Sequence, residues 1–190
     1  TEQVGYGISE LIRQKNIELT LNFHEAEPMY PVINTIVAHQ RAIEIGVITA
    51  IDLAIEEGIK IGNEISPEAL RGLAHRELGD HTDTLVLLVE TCNPIQDPSR
   101  GRTDEELLLT GKDDFILRGS ELGLLFVPYD EDGSPADERV GRNTSTILKA
   151  IETFSDLHPG REIVIQNYPR MKEVMERGVG AFLRNPDDVS

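Results

Sequence analysis

This chain has 190 residues, a formal net charge of −16 and a hydrophobic content of 39%. A chain of this length buries enough apolar surface to fold without a disulfide or a structural metal, so we expect one globular domain over residues 1–190. The negative charge disfavours direct binding to nucleic acids and to anionic membranes, because both present phosphate groups. The acidic excess lies in residues 1–138, whereas residues 139–190 have a net charge of +1.

The cysteine content and the first residues bear on the cellular compartment. Cys92 is the single cysteine of the sequence, so the chain cannot form an internal disulfide. The start, from Thr1 to Val4, lacks the basic flank and the apolar stretch of a signal peptide. No uncharged apolar run reaches the length of a membrane span. We therefore expect a cytoplasmic or virion location and no membrane partner.

The first third of the chain predicts a helix, a strand and a long helix. Helical spacing of apolar residues predicts the first helix over 6–15, and alternation of apolar and polar residues predicts a half-buried strand over 17–23. Pro28 and Pro31 then lead into the longest predicted helix, over 32–57, which has a wide apolar face. Its many β-branched residues are poor helix formers, so tertiary burial must stabilise it.

The middle of the chain predicts a helix, a buried strand and a polar loop. Ser66 begins the predicted helix as an N-cap, Pro67 occupies its first turn, and the helix runs to Leu78. The nearly continuous apolar run over 84–91 predicts a strand covered on both faces. A polar stretch over 93–103 predicts a surface loop.

The second half predicts shorter elements and a C-terminal αβα segment. Thr103 and Glu106 form a capping-box pattern that predicts a helix through residue 109. The other predictions are strands over 115–117, 122–127 and 162–165, a polar loop over 129–142, a helix beginning at Asn143 or Thr144, and a final helix over 171–183. Together the elements predict an α/β or α+β domain, with a mixed sheet of about four to five strands packed against a long central helix. The strands at 122–127 and 162–166 are expected to form a parallel crossover.

The densest polar cluster lies between residues 75 and 83. Two imidazoles and several carboxylates are ligand types that first-row metals prefer, which makes this cluster a candidate metal site. The spacing differs from the helical zinc pattern with two histidines four residues apart, so a solvated helix end is the alternative. The candidate metal ligands are His75, Glu77, Asp80 and His81, with His24 as a further candidate.

A second candidate site follows the loop over 129–142. Exposed amides at a helix start, with an arginine and hydroxyl groups nearby, are typical of anion binding. The candidate anion-binding residues are Arg142, Asn143, Thr144 and Ser145. Ordinary helix capping explains the same residues, so both interpretations stay open.

The sequence lacks a nucleophile elbow, a P-loop and a dinucleotide fingerprint, and it predicts no cofactor. We therefore favour a non-enzymatic structural or assembly subunit of a larger homo- or hetero-oligomer, such as a virion connector or tail component. Its partners are then proteins, and self-association by head-to-tail contacts forms rings or filaments. The alternative is a metal-dependent hydrolase that uses the cluster from His75 to His81. A small-molecule sensor that binds at the helix start over 142–146 is a third hypothesis.

Overall fold

The structure, a computed structural model, describes residues 2–26, 30, 33–69, 71–92, 104–125, 129 and 131–183. In these residues the chain forms four strands and seven α-helices. In chain order they are α1 (Glu2–Lys15), β1 (Leu19–Ala26), β2 (Thr35–Ala38), α2 (Ile43–Asp52), β3 (Gly62–Ile65), α3 (Ala74–His81), β4 (Leu85–Cys92), α4 (Glu105–Thr110), α5 (Asp114–Glu121), α6 (Ala136–Leu157) and α7 (Met171–Arg177). A 3₁₀ turn (Gln40–Ala42) precedes α2, a π-helical turn (Leu53–Glu57) extends it, and a second 3₁₀ turn (Val179–Phe182) follows α7.

The four strands form one mixed sheet in the order β1-β4-β2-β3, so β1 and β3 lie at its edges. β2 is antiparallel to β4, with Thr35 opposite Glu90. It is parallel to β3, with Thr35 opposite Gly62. The prediction of an α/β or α+β fold with a mixed sheet of about four to five strands is therefore confirmed, and the fold is α+β with four strands in the sheet.

The described residues divide into two compact units. The first unit draws on the stretches 1–24, 34–90 and 149–164, which include the sheet and the helices α1, α2 and α3. The second draws on 25–33, 91–148 and 165–190, which include α4, α5 and α7. The single domain over residues 1–190 stays a prediction.

Helices cover both faces of the sheet in the first unit. Alternate strand residues point to opposite faces, so Ile36 and Val89, which are opposite each other in the ladder, share one face. The core on that face also contains residues of the 3₁₀ turn before α2, of α2 and of the last turns of α6: Ala42, Ile45, Ala50, Ala150 and Phe154. On the other face, Val86 of β4 packs with Ile12 of α1 and Leu78 of α3. β4 is therefore the buried central strand that its apolar sequence predicts.

The second unit has a small apolar core and a buried arginine that donates to backbone carbonyls. Ile116 of α5 and Tyr129 form the core, and the Tyr129 hydroxyl donates to the Gly111 carbonyl. Arg139 on the first turns of α6 donates to the carbonyls of Ser134 (2.6 Å) and Leu108 (2.9 Å). Because Leu108 belongs to α4 and Ser134 to the segment before α6, the buried guanidinium holds these two parts of the unit together.

Several predicted elements are confirmed. α1 contains the predicted helix over 6–15, β1 overlaps the predicted strand over 17–23, and β4 corresponds to the run over 84–91. α4 spans most of the short helix predicted after Thr103, and its N-cap is Asp104, which accepts from the Leu107 amide. Thr103 and the loop over 93–103 lie outside the described residues.

The long helix predicted over 32–57 is wrong in its first third. Residues 35–38 form β2, all four of them buried, and helical structure begins only at Gln40. The β-branched residues Ile36 and Val37 fit a pleated sheet better than a helix, and pairing with β3 and β4 satisfies their backbone groups.

The helix predicted from Ser66 begins later, at Ala74, and ends later, at His81. The Ser66 amide donates to the Ala38 carbonyl at 2.8 Å, which continues the β2–β3 pairing and holds this segment against the sheet. Gly79, predicted to end the helix, lies inside α3.

Two predicted strands in the second half are wrong. Residues 115–117 lie in α5, because the carboxylate of Asp113 accepts from the amides of Phe115 and Ile116 and caps a helix. Residues 162–165 form no strand, and Val164 is 78% exposed. The predicted crossover and C-terminal αβα segment therefore lack this strand. Residues 122–125 are not strand either, and 126–128 lie outside the described residues.

Candidate functional site

The carboxylate of Asp80, near the end of α3, is the centre of a charged network in the first unit. Its Oδ1 accepts from Arg76 Nη2 (2.5 Å) and from His39 Nε2 (3.1 Å). Its Oδ2 accepts from Arg76 Nε (2.9 Å) and from Arg71 Nη1 (2.5 Å). These donors, Arg76 first, hold the pKa of Asp80 well below its usual range. Asp80 is therefore ionised at neutral pH, and both of its carboxylate oxygens already accept hydrogen bonds.

The tautomer of His39 follows from its contacts. The Arg41 amide donates to His39 Nδ1, so the proton of the neutral ring lies on Nε2, which donates to Asp80. The guanidinium of Arg41 donates to the carbonyls of Gly79, Thr82 and Thr84. These bonds satisfy carbonyls at the C-terminal end of α3, where a helix leaves its last acceptors without partners. The network therefore attaches the end of α3 to the segment that follows β2.

His75 lies apart from this network, in the interior. Its ring is fully buried, Nε2 lies 3.0 Å from Ser66 Oγ, and Nδ1 has no hydrogen-bond partner among the described residues. Burial, followed by the charges of His24, Arg76 and His39, lowers the pKa of His75 to about 4. His75 is therefore neutral at pH 7, and its contacts are those of a core residue.

The four candidate metal ligands do not converge. Glu77 and His81 pair with each other on the surface at 3.3 Å, His75 bonds Ser66, and Asp80 is enclosed by cations. In the part of the chain that the structure describes, no group of three His, Cys, Asp or Glu side chains is placed to hold a metal ion. The hydrolase hypothesis requires these groups in one pocket, and no geometry here favours it.

The candidate anion site loses its physical basis, because α6 begins at Ala136 and not at residue 143 or 144. Arg142 to Ser145 therefore lie inside a helix, where backbone amides bond within the helix and are not exposed to a ligand. Arg142 donates to Thr91 Oγ1 (3.0 Å) and to the carboxylate of Glu138. Ser145 Oγ accepts from the Met171 amide at 2.8 Å. These residues hold the second unit together.

Sequence reasoning missed one buried acid. Glu90 lies near the end of β4, and its side chain is 15% exposed. Its Oε2 is buried without a partner among the described residues, and His24 Nδ1 lies 3.7 Å from Oε1. Burial raises the pKa of Glu90 to about 7. The available signal was a lone acid inside an apolar strand sequence, Val89-Glu90-Thr91, which predicts a costly buried carboxylate.

Sequence reasoning also missed a cavity of about 690 Å³ in the first unit. Residues of α1, the end of α3 and the end of α6 line it, and Asp80 and His81 of the predicted cluster are among them. His158 stacks on Phe154 at a ring-centroid distance of 4.3 Å. No local sequence pattern connects His158 with the residues near position 81 that line the same cavity.

Cys92 does not supply a nucleophile. Its thiol is buried, and burial raises its pKa to about 11, so the reactive thiolate is scarce at neutral pH.

Comparisons with known proteins identify no relative of this chain. No protein-family model matches it, and neither a curated protein nor a solved structure matches it either. None of the described helices is long and apolar enough to cross a membrane.

The close contact between α3 and His39 gives a prediction about Gly79. A Cβ at this position would lie 2.5 Å from His39 Cγ, which is closer than packed atoms approach. Intrinsic helix propensity favours alanine over glycine by about 1 kcal/mol. We nevertheless expect Gly79→Ala to reduce the free energy of unfolding by about 1–3 kcal/mol, because the ring must move away from Asp80. Urea unfolding followed by circular dichroism measures this difference.

The matched control is Gly119→Ala in α5. There a Cβ would lie 3.5 Å from Leu125 Cδ2, an ordinary van der Waals contact, so we expect no loss of stability. A Gly79→Ala protein at least as stable as the wild type would contradict the packing of α3 against His39.

Proposed function

We propose that the chain is a non-enzymatic assembly subunit that associates with a second copy of itself. The proposed contact surface belongs to the first unit and is called the α2–β3 surface. It consists of Val47, Ile51 and Ile55 together with the outer edge of β3. The observation that carries the proposal is the exposed apolar row on a helix whose opposite side is buried.

The apolar row follows the helical repeat. Its members are four residues apart, so they lie along one side of α2 and of the π-helical turn that extends it. Val47 is 38% exposed, Ile51 52% and Ile55 77%, whereas Ile45 and Leu53 of the same segment are buried. Exposed apolar residues that form a continuous patch are typical of protein contact sites, because water solvates them poorly.

β3 adds an open strand edge to the row. It is the last strand in the sheet order, so one side of its backbone has no strand neighbour among the described residues. Ile65 at its end is 58% exposed. An unpaired edge presents N–H and C=O groups to a strand of another chain.

The helix that carries the row packs against β3. A Cβ at Gly46 would lie 2.5 Å from Asn63 Oδ1, so α2 and β3 approach each other very closely. In antiparallel pairing, the β3 edge of one copy pairs with the β3 edge of the other. This contact forms a closed dimer with two-fold symmetry. Head-to-tail packing into a ring or filament, as in a virion connector, needs a further surface and stays a prediction.

Analytical ultracentrifugation over micromolar to hundred-micromolar protein tests the proposal. We expect the wild type to form a dimer as concentration rises, and Ile51→Lys and Ile65→Lys each to raise the dimer dissociation constant at least tenfold. A lysine places a charge on the apolar row or on the strand edge, and the cost of burying it opposes association.

Val164→Lys is the control, because it adds the same charge at another exposed apolar position of the first unit. We expect this variant to dimerise as the wild type does. A wild-type monomer over the whole range would overturn self-association. A dimer that both α2–β3 variants leave intact would overturn the surface.

A further inference from the structure

The cavity in the first unit has the size of a small-molecule site. Its volume of about 690 Å³ falls within the range of roughly 300–1,000 Å³ typical of ligand pockets. Its apolar wall consists of Ile12, Ile17, Leu85 and Phe154. Such a wall favours the hydrocarbon part of a ligand, and the polar groups around it decide which head group the site accepts.

Several hydrogen-bond donors around the cavity, those of Arg13, Thr82 and Thr84, are already engaged. Arg13 donates to Glu10 (2.7 Å) and to the His81 carbonyl (2.9 Å). The Thr82 hydroxyl donates to the Leu78 carbonyl, and the Thr84 hydroxyl pairs with that of Thr20. An anionic ligand would have to displace these internal bonds.

Acceptors remain available. No cation among the described residues lies within ion-pair distance of the exposed carboxylate of Asp83, in contrast to neighbouring Asp80, which accepts from Arg71 and Arg76. His158 Nδ1 lies 2.8 Å from the Phe154 carbonyl and must donate to it, because a carbonyl only accepts. The neutral ring of His158 therefore keeps Nε2 as an acceptor.

We infer that this cavity binds a small organic ammonium compound, with its cationic head at Asp83 and its apolar part against Phe154 and Leu85. The ammonium group supplies donors to the carboxylate of Asp83, which accepts a charge-assisted hydrogen bond. The net charge of −16 also favours a cationic ligand, because it raises the local concentration of cations and repels anions. This site is independent of the α2–β3 surface.

Three probes with the same phenyl ring and different head groups test the inference: 2-phenylethylammonium, neutral 2-phenylethanol and anionic 3-phenylpropionate. Binding to the full chain is measured by NMR titration of backbone amides at low salt. We expect the ammonium compound to bind at least tenfold more tightly than the alcohol, with chemical shift changes at residues 12–18 and 82–85. The propionate is expected to bind more weakly than both.

Asp83→Asn is the decisive variant, and Asp156→Asn is its control, because Asp156 is an exposed acid of the same unit outside the cavity wall. We expect Asp83→Asn to weaken ammonium binding at least tenfold, to leave the alcohol unchanged, and to keep the circular dichroism spectrum of the wild type. Equal binding of the three probes, unchanged ammonium binding in Asp83→Asn, or shift changes confined to other residues would overturn the inference.

Discussion

The Asp80→Asn protein is expected to melt at a temperature on the order of 10 °C below that of the wild type. The substitution keeps the size of the side chain and removes its charge, so the guanidinium of Arg76, whose side chain is 5% exposed, loses its anionic partner. Removing one partner of a buried ion pair is costly, because the remaining charge stays desolvated and has no opposite charge beside it. The same change weakens the bond from His39, which attaches α3 to the end of β2, and the bond from Arg71 in the turn before α3.

Differential scanning calorimetry measures this change, with Asp83→Asn as the matched control. The two aspartates are three residues apart, and Asp83 has no ion-pair partner among the described residues, so its loss is expected to shift the melting temperature by less than about 2 °C. Similar melting temperatures for both variants would mean that the network around Asp80 does not stabilise the fold.

Glu90 is expected to make the first unit less stable as the pH rises from about 4.5 to about 7. The folded state holds the proton of Glu90 up to a pKa of about 7, whereas the unfolded chain releases it near the ordinary value of 4.5. The folded state thus binds more protons in this window, and its stability falls as pH rises. Glu90→Gln abolishes this titration. Between pH 4.5 and pH 8, the free energy of unfolding of the variant is expected to rise by up to about 3 kcal/mol relative to that of the wild type.

The comparison with the variant is necessary because His75 titrates in the opposite sense. Its pKa of about 4 in the folded state lies below the ordinary 6.5, so the unfolded chain binds more protons between these values. The contribution of His75 to the free energy of unfolding therefore rises with pH, over much of the pH range in which the contribution of Glu90 falls. It is present in both proteins and cancels in the difference.

Urea unfolding at pH 4.5, 6 and 8 measures the difference, and Glu64→Gln is the control. Glu64 lies on β3 and is exposed, so its substitution is expected to change stability by the same small amount at each pH. A Glu90→Gln protein whose advantage over the wild type is independent of pH would show that Glu90 is ionised throughout this range.

Local sequence patterns were sufficient to predict a strand where the burial of its faces sets the spacing of its apolar residues. The alternation after residue 17 predicted β1, and the apolar run before Cys92 predicted β4, because both patterns follow from which face of a strand is buried. The same reasoning failed for residues 35–38, where an apolar run fits a buried strand and a helix equally well. It failed again at residues 162–165, because a β-rich sequence forms a strand only where another strand is free to pair with it.

The density of charge in residues 75–83 was visible in the sequence, but its role was not. Composition alone indicated that His75, Asp80 and their neighbours matter, since so many polar groups in one short segment need partners. Helical spacing alone brings Arg76 to Asp80, whereas only the tertiary structure brings His39 to Asp80 and places His75 in the interior beside Ser66. The physical reason is that helix and strand patterns depend on near neighbours along the chain, whereas hydrogen bonds and ion pairs depend on distances between residues such as His39 and Asp80, which are 41 positions apart.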